Sequence, residues 1–276
     1  MTIKQIDEDK ATWAADQFID YFQNFTNLEE YLRHVKKSVV TKSSILDDPK
    51  DDFFNQDIHP NDMEFDIRLV GDRFQNGIPQ DYYRNLLSSV SSHNNEDNIP
   101  GRELRLMVYE KNTNKIVGFI RLQSPLINSK PRNQWLGKAP DLTIFNRHAV
   151  MGFAIVPSQP FGYNYLGGKL LALICVSHFI REKLNKFNSV IQMAFSLTQQ
   201  KRAYISDYGY GNVREVINGE QDKLVRGQNW DKFHLENILA WWKKKATKRY
   251  EKLKVEGRFR DKVELWTQDD DIQIIR

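Results

Sequence analysis

RHAVMGFAIVPSQPFGYNYLGGKLLALICVSHF, residues 147–179, decides the reading of the fold. HAVMGFAIV (148–156) is a nearly continuous apolar run, the pattern of a central strand covered on both faces. A loop rich in Pro, Gly and aromatics follows, and the spacing predicts an apolar helix over 164–183. A helix entered this way leaves backbone N–H groups unpaired at its N-terminus. The partial positive charge there suits an anionic or nucleotide ligand. Downstream, NSVIQMAFSLT (188–198) reads as a strand, so 148–198 predicts a right-handed parallel crossover. Upstream, LRLMVYEK and KIVGFIRLQ flank Asn112-Thr113-Asn114 and read as a β-hairpin with a short turn. Hairpin, strand, helix and strand make an α+β chain, α/β-type in its core, with a mixed central sheet flanked by helices.

Further out, Trp13, Phe18, Phe22 and Phe25 recur near helical spacing, continued by Tyr31, Leu32 and Val35. They predict an amphipathic helix pair packed on the core. Residues 41–66 are acidic, with Pro49 and Pro60 as breakers, and read as an irregular surface segment. Their Asp51, Asp52, Asp57, His59 and Asp62 fit no ligand spacing, so no metal site is read. Residues 80–90 suggest a short helix, 91–101 a polar loop, and 124–142 a loop-rich connection. A polar turn at Asn218-Gly219 precedes a basic helix over 231–254. The expected organisation is a helical and irregular region (1–100), a core (101–220) and a basic helical extension (221–276).

The chain has 276 residues, 40% hydrophobic and 28% charged, an ordinary globular composition rather than a disordered one. Its one cysteine, Cys175, excludes an intrachain disulfide and a multi-cysteine zinc site. Apolar neighbours make it a buried thiol. The first residues, MTIKQIDEDK, lack the apolar stretch of a signal peptide, and no apolar run reaches bilayer length. A cytoplasmic protein with no membrane partner is expected. The net charge of +4 is unevenly spread, with ten Lys and Arg against three acids between Lys243 and Lys262. That asymmetry points to a polyanion. AWWKKKATKRYEKLKVEGRFR (240–260) interleaves Trp241, Trp242 and Tyr250 with Lys243, Lys244, Lys245, Lys248, Arg249 and Lys252. Basic charge tracks phosphate and aromatics stack on bases, so nucleic acid is the expected partner. The tryptophans can equally dock the helix on the body.

In the central loop, Ser158 and Asn164 can offer side chains to a ligand, and Asn164 can equally serve as an N-cap. Gly167 and Gly168 inside a helix cost about 1 kcal/mol each relative to Ala. They imply either close helix–sheet packing or close approach of a ligand. Lys169 can meet a phosphate or stand in solvent. Tyr204, Asp207, Tyr208 and Tyr210 follow the last strand, and His148 and His178 flank the unit. His178, on an apolar face, reads first as a core histidine. No P-loop, H-E-x-x-H or dinucleotide fingerprint is present.

KIVGFIRL, FAIVP and GGKLLAL together resemble the core of the GNAT acyltransferase fold. RNQWLGKAPDL (132–142), NRHAVMGFAIVP (146–157) and NYLGGKLLALICVSHFI (164–180) are similar, more narrowly, to its branch holding the phage Mom DNA-modification protein and the DruA protein of Druantia defence systems. Related uncharacterised tailed-phage proteins share the run YNYLGGKLLAL. The likeness covers roughly 103–213. It implies a GNAT-like sheet and a donor held by Val156, Ser158, Gly162, Asn164, Gly167, Gly168 and Lys169. Acetyl-CoA or another small acyl donor fits that implication, although Tyr163 and Tyr165 stand where the family usually has glycines. It also implies Tyr208 as the proton donor, Asp207 as a base and Ser196 as a further catalytic residue, after the second strand where the branch often carries an acidic residue. The expected activity is transfer of a small acyl-type group to a nucleic-acid base. The alternatives are a non-catalytic nucleic-acid-binding protein of defence or counter-defence, and an acetyl-CoA-dependent N-acetyltransferase.

Overall fold

The structure, a computed structural model, describes residues 7–23, 49–71, 77–90, 101–125, 128, 130–185, 191–193 and 211–263. Five strands form one sheet in chain order: β1 (Phe65–Leu69), β2 (Glu103–Glu110), β3 (Lys115–Gln123), β4 (Ala149–Pro157) and β5 (Ile191–Met193). β1 to β4 pair antiparallel, and β5 joins β4 in parallel through Ala149↔Ile191, Val150↔Gln192 and Met151↔Met193. The sheet is therefore mixed, and with its helices the chain is α+β. The helices are α1 (Glu8–Phe22), α2 (Gln80–Val90), α3 (Lys130–Leu136), α4 (Leu142–His148), α5 (Phe161–Tyr165), α6 (Gly167–Cys175), α7 (His178–Asn185), α8 (Val213–Ile217) and α9 (Leu235–Val255).

The β2–β3 hairpin closes on a carboxylate. Glu110 is fully buried and accepts from the Thr113 amide (2.8 Å), the Thr113 hydroxyl (2.7 Å), the Asn112 amide (3.3 Å) and the Glu64 amide (3.2 Å). These bonds offset the desolvation of a buried charge and fix the turn in which Asn114 takes a left-handed φ of 55°. Alternation along the strands then sorts side chains to two faces. Leu104, Leu106, Val108, Ile120, Leu122 and Val150 pack with Leu170, Leu171 and Ile174 of α6 and Trp242 and Ala246 of α9. Met107, Tyr109 and Phe119 pack on the other face against Tyr83 and Leu86 of α2.

Several expectations are corrected. The acidic segment is not purely irregular surface, because its last residues, Phe65 and Asp66, open FDIRL (65–69), which forms β1 against β2. Phe53 and Phe54 are both fully buried, and Phe53 sits against Phe119 while Phe54 sits against Phe161, so the segment reaches both cores. The connection at 124–142 carries α3 and the start of α4. The single helix over 164–183 is three pieces. Leu166 takes a left-handed φ of 56° between α5 and α6, and the chain turns again at Val176-Ser177 before α7. In α1 every described side chain is exposed, Trp13 and Phe18 at 65%, so α1 does not pack on the core as expected. Its stripe is interrupted by Asp16 and Asp20, and no helix among the described residues covers it. Residues 24–48, the rest of the predicted pair, lie outside the described residues.

Candidate nucleic-acid interface

The loop after β4 turns on Ser158. Its amide donates to Val117 O (3.0 Å) and its hydroxyl to Ile116 O (3.0 Å), both on β3. The chain then winds back so that the Gly162 amide reaches Ser158 O (2.7 Å), the Asn164 amide reaches Pro160 O (3.0 Å) and the Tyr163 amide reaches Gln159 Oε1 (3.0 Å). Asn164, 1% exposed, does not cap a helix. Its carboxamide donates to Arg260 O (2.6 Å) and accepts from the Arg260 amide (3.1 Å). Val156 pairs with Phe119 and packs toward the α2 face. Of the groups expected to hold a donor, the Ser158 side chain and amide, the Gly162 amide and the Asn164 side chain and amide are thus engaged within the chain.

The glycines separate. A Cβ on Gly167 would lie 2.5 Å from the Phe161 ring, so that glycine permits the fold-back at Leu166. A Cβ on Gly168 would meet Pro157 Cγ at 3.7 Å, an ordinary contact. The close approach at Gly167 is to Phe161 and Gly162 of α5, helix on helix rather than helix on sheet.

Above the loop lie the last turns of α9 and the segment after it, which the sequence reading did not connect to it. Arg249 and Arg260 stand over the Tyr163 ring at 4.6 and 4.0 Å, and Arg258 Nη2 donates to the Tyr163 hydroxyl at 3.1 Å. Phe259 and Tyr250 pack on Tyr165. Nothing local in the sequence announces these contacts, since the partners lie 85 to 96 residues apart.

α9 itself is two-faced. Ile238, Trp242 and Ala246 recur every fourth residue and are buried, and Leu253 continues the stripe. Trp242 has no exposed surface and packs on Phe65 and Phe161, whereas Trp241 is 44% exposed. The solvent face carries Lys244, Lys245, Lys248 and Lys252. Lys252 approaches Glu256 (3.6 Å), and Lys254 pairs with Asp57. Burial opposes the Asp57 charge, but Lys254 and the Tyr250 hydroxyl outweigh it and hold its pKa below the usual value. Lys243 donates to Asn61 O (2.8 Å). Lys244, Lys245 and Lys248 have no acidic partner among the described residues. Beside them an open depression of about 540 Å³ is lined by Asn61, Ala240, Lys243, Lys244, Thr247, Lys248 and Glu251.

Lys169, on α6, is exposed and sits 5.9 Å from the Trp241 ring centroid, so it belongs to this surface. Ser196, Asp207 and Tyr208 lie outside the described residues, as do Tyr204, Tyr210 and the side chain of His148. His178 is a core residue: its ring stacks on Trp230 at 3.8 Å and Nε2 meets Trp230 O at 2.8 Å. Burial pushes its pKa below the usual value. Burial pushes the Cys175 thiol up to about 12, which leaves it without a thiolate at neutral pH. Asp52 accepts from Tyr82, and no cluster of three metal-ligating side chains occurs among the described residues. No helix among them is long and apolar enough to cross a membrane.

Residues 15–208 match the family model described as DruA, Druantia protein DruA. The match spans more than half of the chain and begins within α1, well before the hairpin. No curated protein and no solved structure matches the chain.

Proposed function

The chain belongs to the DruA family, and from that premise we propose that it binds nucleic acid through the exposed face of α9 in a phage defence or counter-defence role in the cytoplasm. The observation that carries the reading is the cluster Lys244, Lys245 and Lys248 on the solvent face of α9, none with a carboxylate partner among the described residues, with Lys244 and Lys248 lining the depression. Cations left unpaired on a rigid helix release counterions when they meet phosphates. Titrating labelled duplex DNA at several salt concentrations tests it. Three phosphate contacts predict a slope of log K against log salt of about −3. A slope near zero would remove the reading.

A second reading is transfer of a small acyl-type group to a base. One observation favours it: β5 joins β4 in parallel through Ala149↔Ile191, Val150↔Gln192 and Met151↔Met193, the strand–helix–strand order that the GNAT-like resemblance implies. The donor would be acetyl-CoA or another small acyl compound. In this reading Tyr208 protonates the leaving group, Asp207 serves as base and Ser196 is a third catalytic residue. A base acted on in duplex has to be extruded first. Nucleoside analysis of DNA from cells making the wild type or Tyr208→Phe is the test. A modified base lost in the variant supports it, and unchanged nucleosides in both overturn it.

A further inference from the structure

We infer that Trp241 is a base-stacking platform, so that this face takes nucleic acid with unpaired bases in preference to a closed duplex. The inference rests on the nucleic-acid reading above and deepens it. Two adjacent tryptophans of one helix have opposite fates. Trp242 is consumed by the core, and Trp241 stands open on the lysine-bearing face. Its indole is flanked by two cations from different helices, Lys169 Nζ of α6 at 5.9 Å and Lys245 Nζ of α9 at 5.7 Å from the ring centroid.

Those distances matter. At nearly 6 Å an ammonium is attracted to the ring without covering it. Stacked aromatic rings sit with centroids ~4.5–7 Å apart, so a base laid on the indole comes within reach of both lysines. Lys244 and Lys248, one and two turns along the helix, then face the neighbouring backbone phosphates, and the depression beside them gives the strand its track. A base can meet the indole only where it is not already paired and stacked in a duplex. The same ring would contribute little to a closed helix, whose π-faces are occupied. Stacking of this kind is tolerant of sequence, so the ligand class is single-stranded or locally opened nucleic acid without strong base preference.

The test is fluorescence anisotropy with a labelled oligothymidylate and with the same strand annealed to its complement, at one salt concentration. Wild type, Trp241→Ala, Trp241→Phe and Lys244→Glu/Lys248→Glu are compared. The expected result is tighter binding of the single strand by wild type. Trp241→Ala should lose about tenfold in single-strand affinity, Trp241→Phe should recover most of it, and duplex affinity should change less than about twofold. Because Trp241 is exposed, these variants keep the core intact. If duplex binding is present and is abolished by Lys244→Glu/Lys248→Glu, while Trp241→Ala leaves single-strand affinity unchanged, the platform is overturned and the lysine face stands. If neither form of DNA binds the wild type, both readings fall together.

Discussion

The loop over 157–168 and the outer face of α9 are neighbours with opposite bonding states. The loop has the composition of a ligand cradle, yet its polar side chains at three positions are spent: Ser158 on β3, Tyr163 under arginines, Asn164 on the Arg260 backbone. The helix face has a plain amphipathic pattern, yet it leaves lysines and an indole unspent. Capacity to bind a guest follows from groups the fold has not already satisfied, and residue type alone does not show which those are.

The largest expected effect that sharpens this contrast is in the paired tryptophans. Trp242→Ala removes a fully buried ring from the junction of α9 with the sheet and should cost about 3–5 kcal/mol in urea or thermal unfolding. Trp241→Ala should stay within about 0.5 kcal/mol of wild type. Equal losses would mean that both rings serve the core. Next, Asn164→Ala leaves the Arg260 backbone without either partner and should cost about 1–3 kcal/mol. A cost near zero, with altered binding of a small acyl donor, would restore the loop as a cradle.

The glycines give a smaller and cleaner pair. Gly167→Ala forces a Cβ into the Phe161 ring and should cost about 1–3 kcal/mol. Gly168→Ala meets only an ordinary contact and should be neutral or stabilising by up to ~1 kcal/mol, because Ala favours the helix. The smallest effect is on pH dependence. His178 has a folded pKa below its unfolded value, so the unfolded state binds the extra proton first. Stability is then full above about pH 6.5 and falls as the pH drops through the folded pKa. His178→Gln should flatten that part of the curve.

What the sequence made legible follows from range of interaction. The hairpin, β4 and α9 are written in local periodicity, and each appears where the pattern places it. β1 was hidden because FDIRL straddles the end of the acidic segment and is broken by Asp66 and Arg68, although the Phe53-Phe54 pair was a clue that the segment is anchored. The break at Leu166 was hidden because leucine ordinarily avoids left-handed backbone, and only the fold-back of Phe161 over Gly167 imposes it. Of the site, the basic face was legible from composition and helical spacing. Which tryptophan is free was not, since that depends on Phe65 and Phe161, far away in the chain. The Arg260 clamp on Asn164 has the same long-range origin.

The most direct measurement of the central claim is the salt dependence of DNA affinity in wild type and in Lys244→Glu/Lys248→Glu. If the outer face of α9 is the interface, removing two phosphate contacts lowers the slope by about 1.8 and weakens binding at every salt concentration, with the unfolding curve unchanged. Affinity and slope identical to wild type would contradict it and place the contact elsewhere on the molecule.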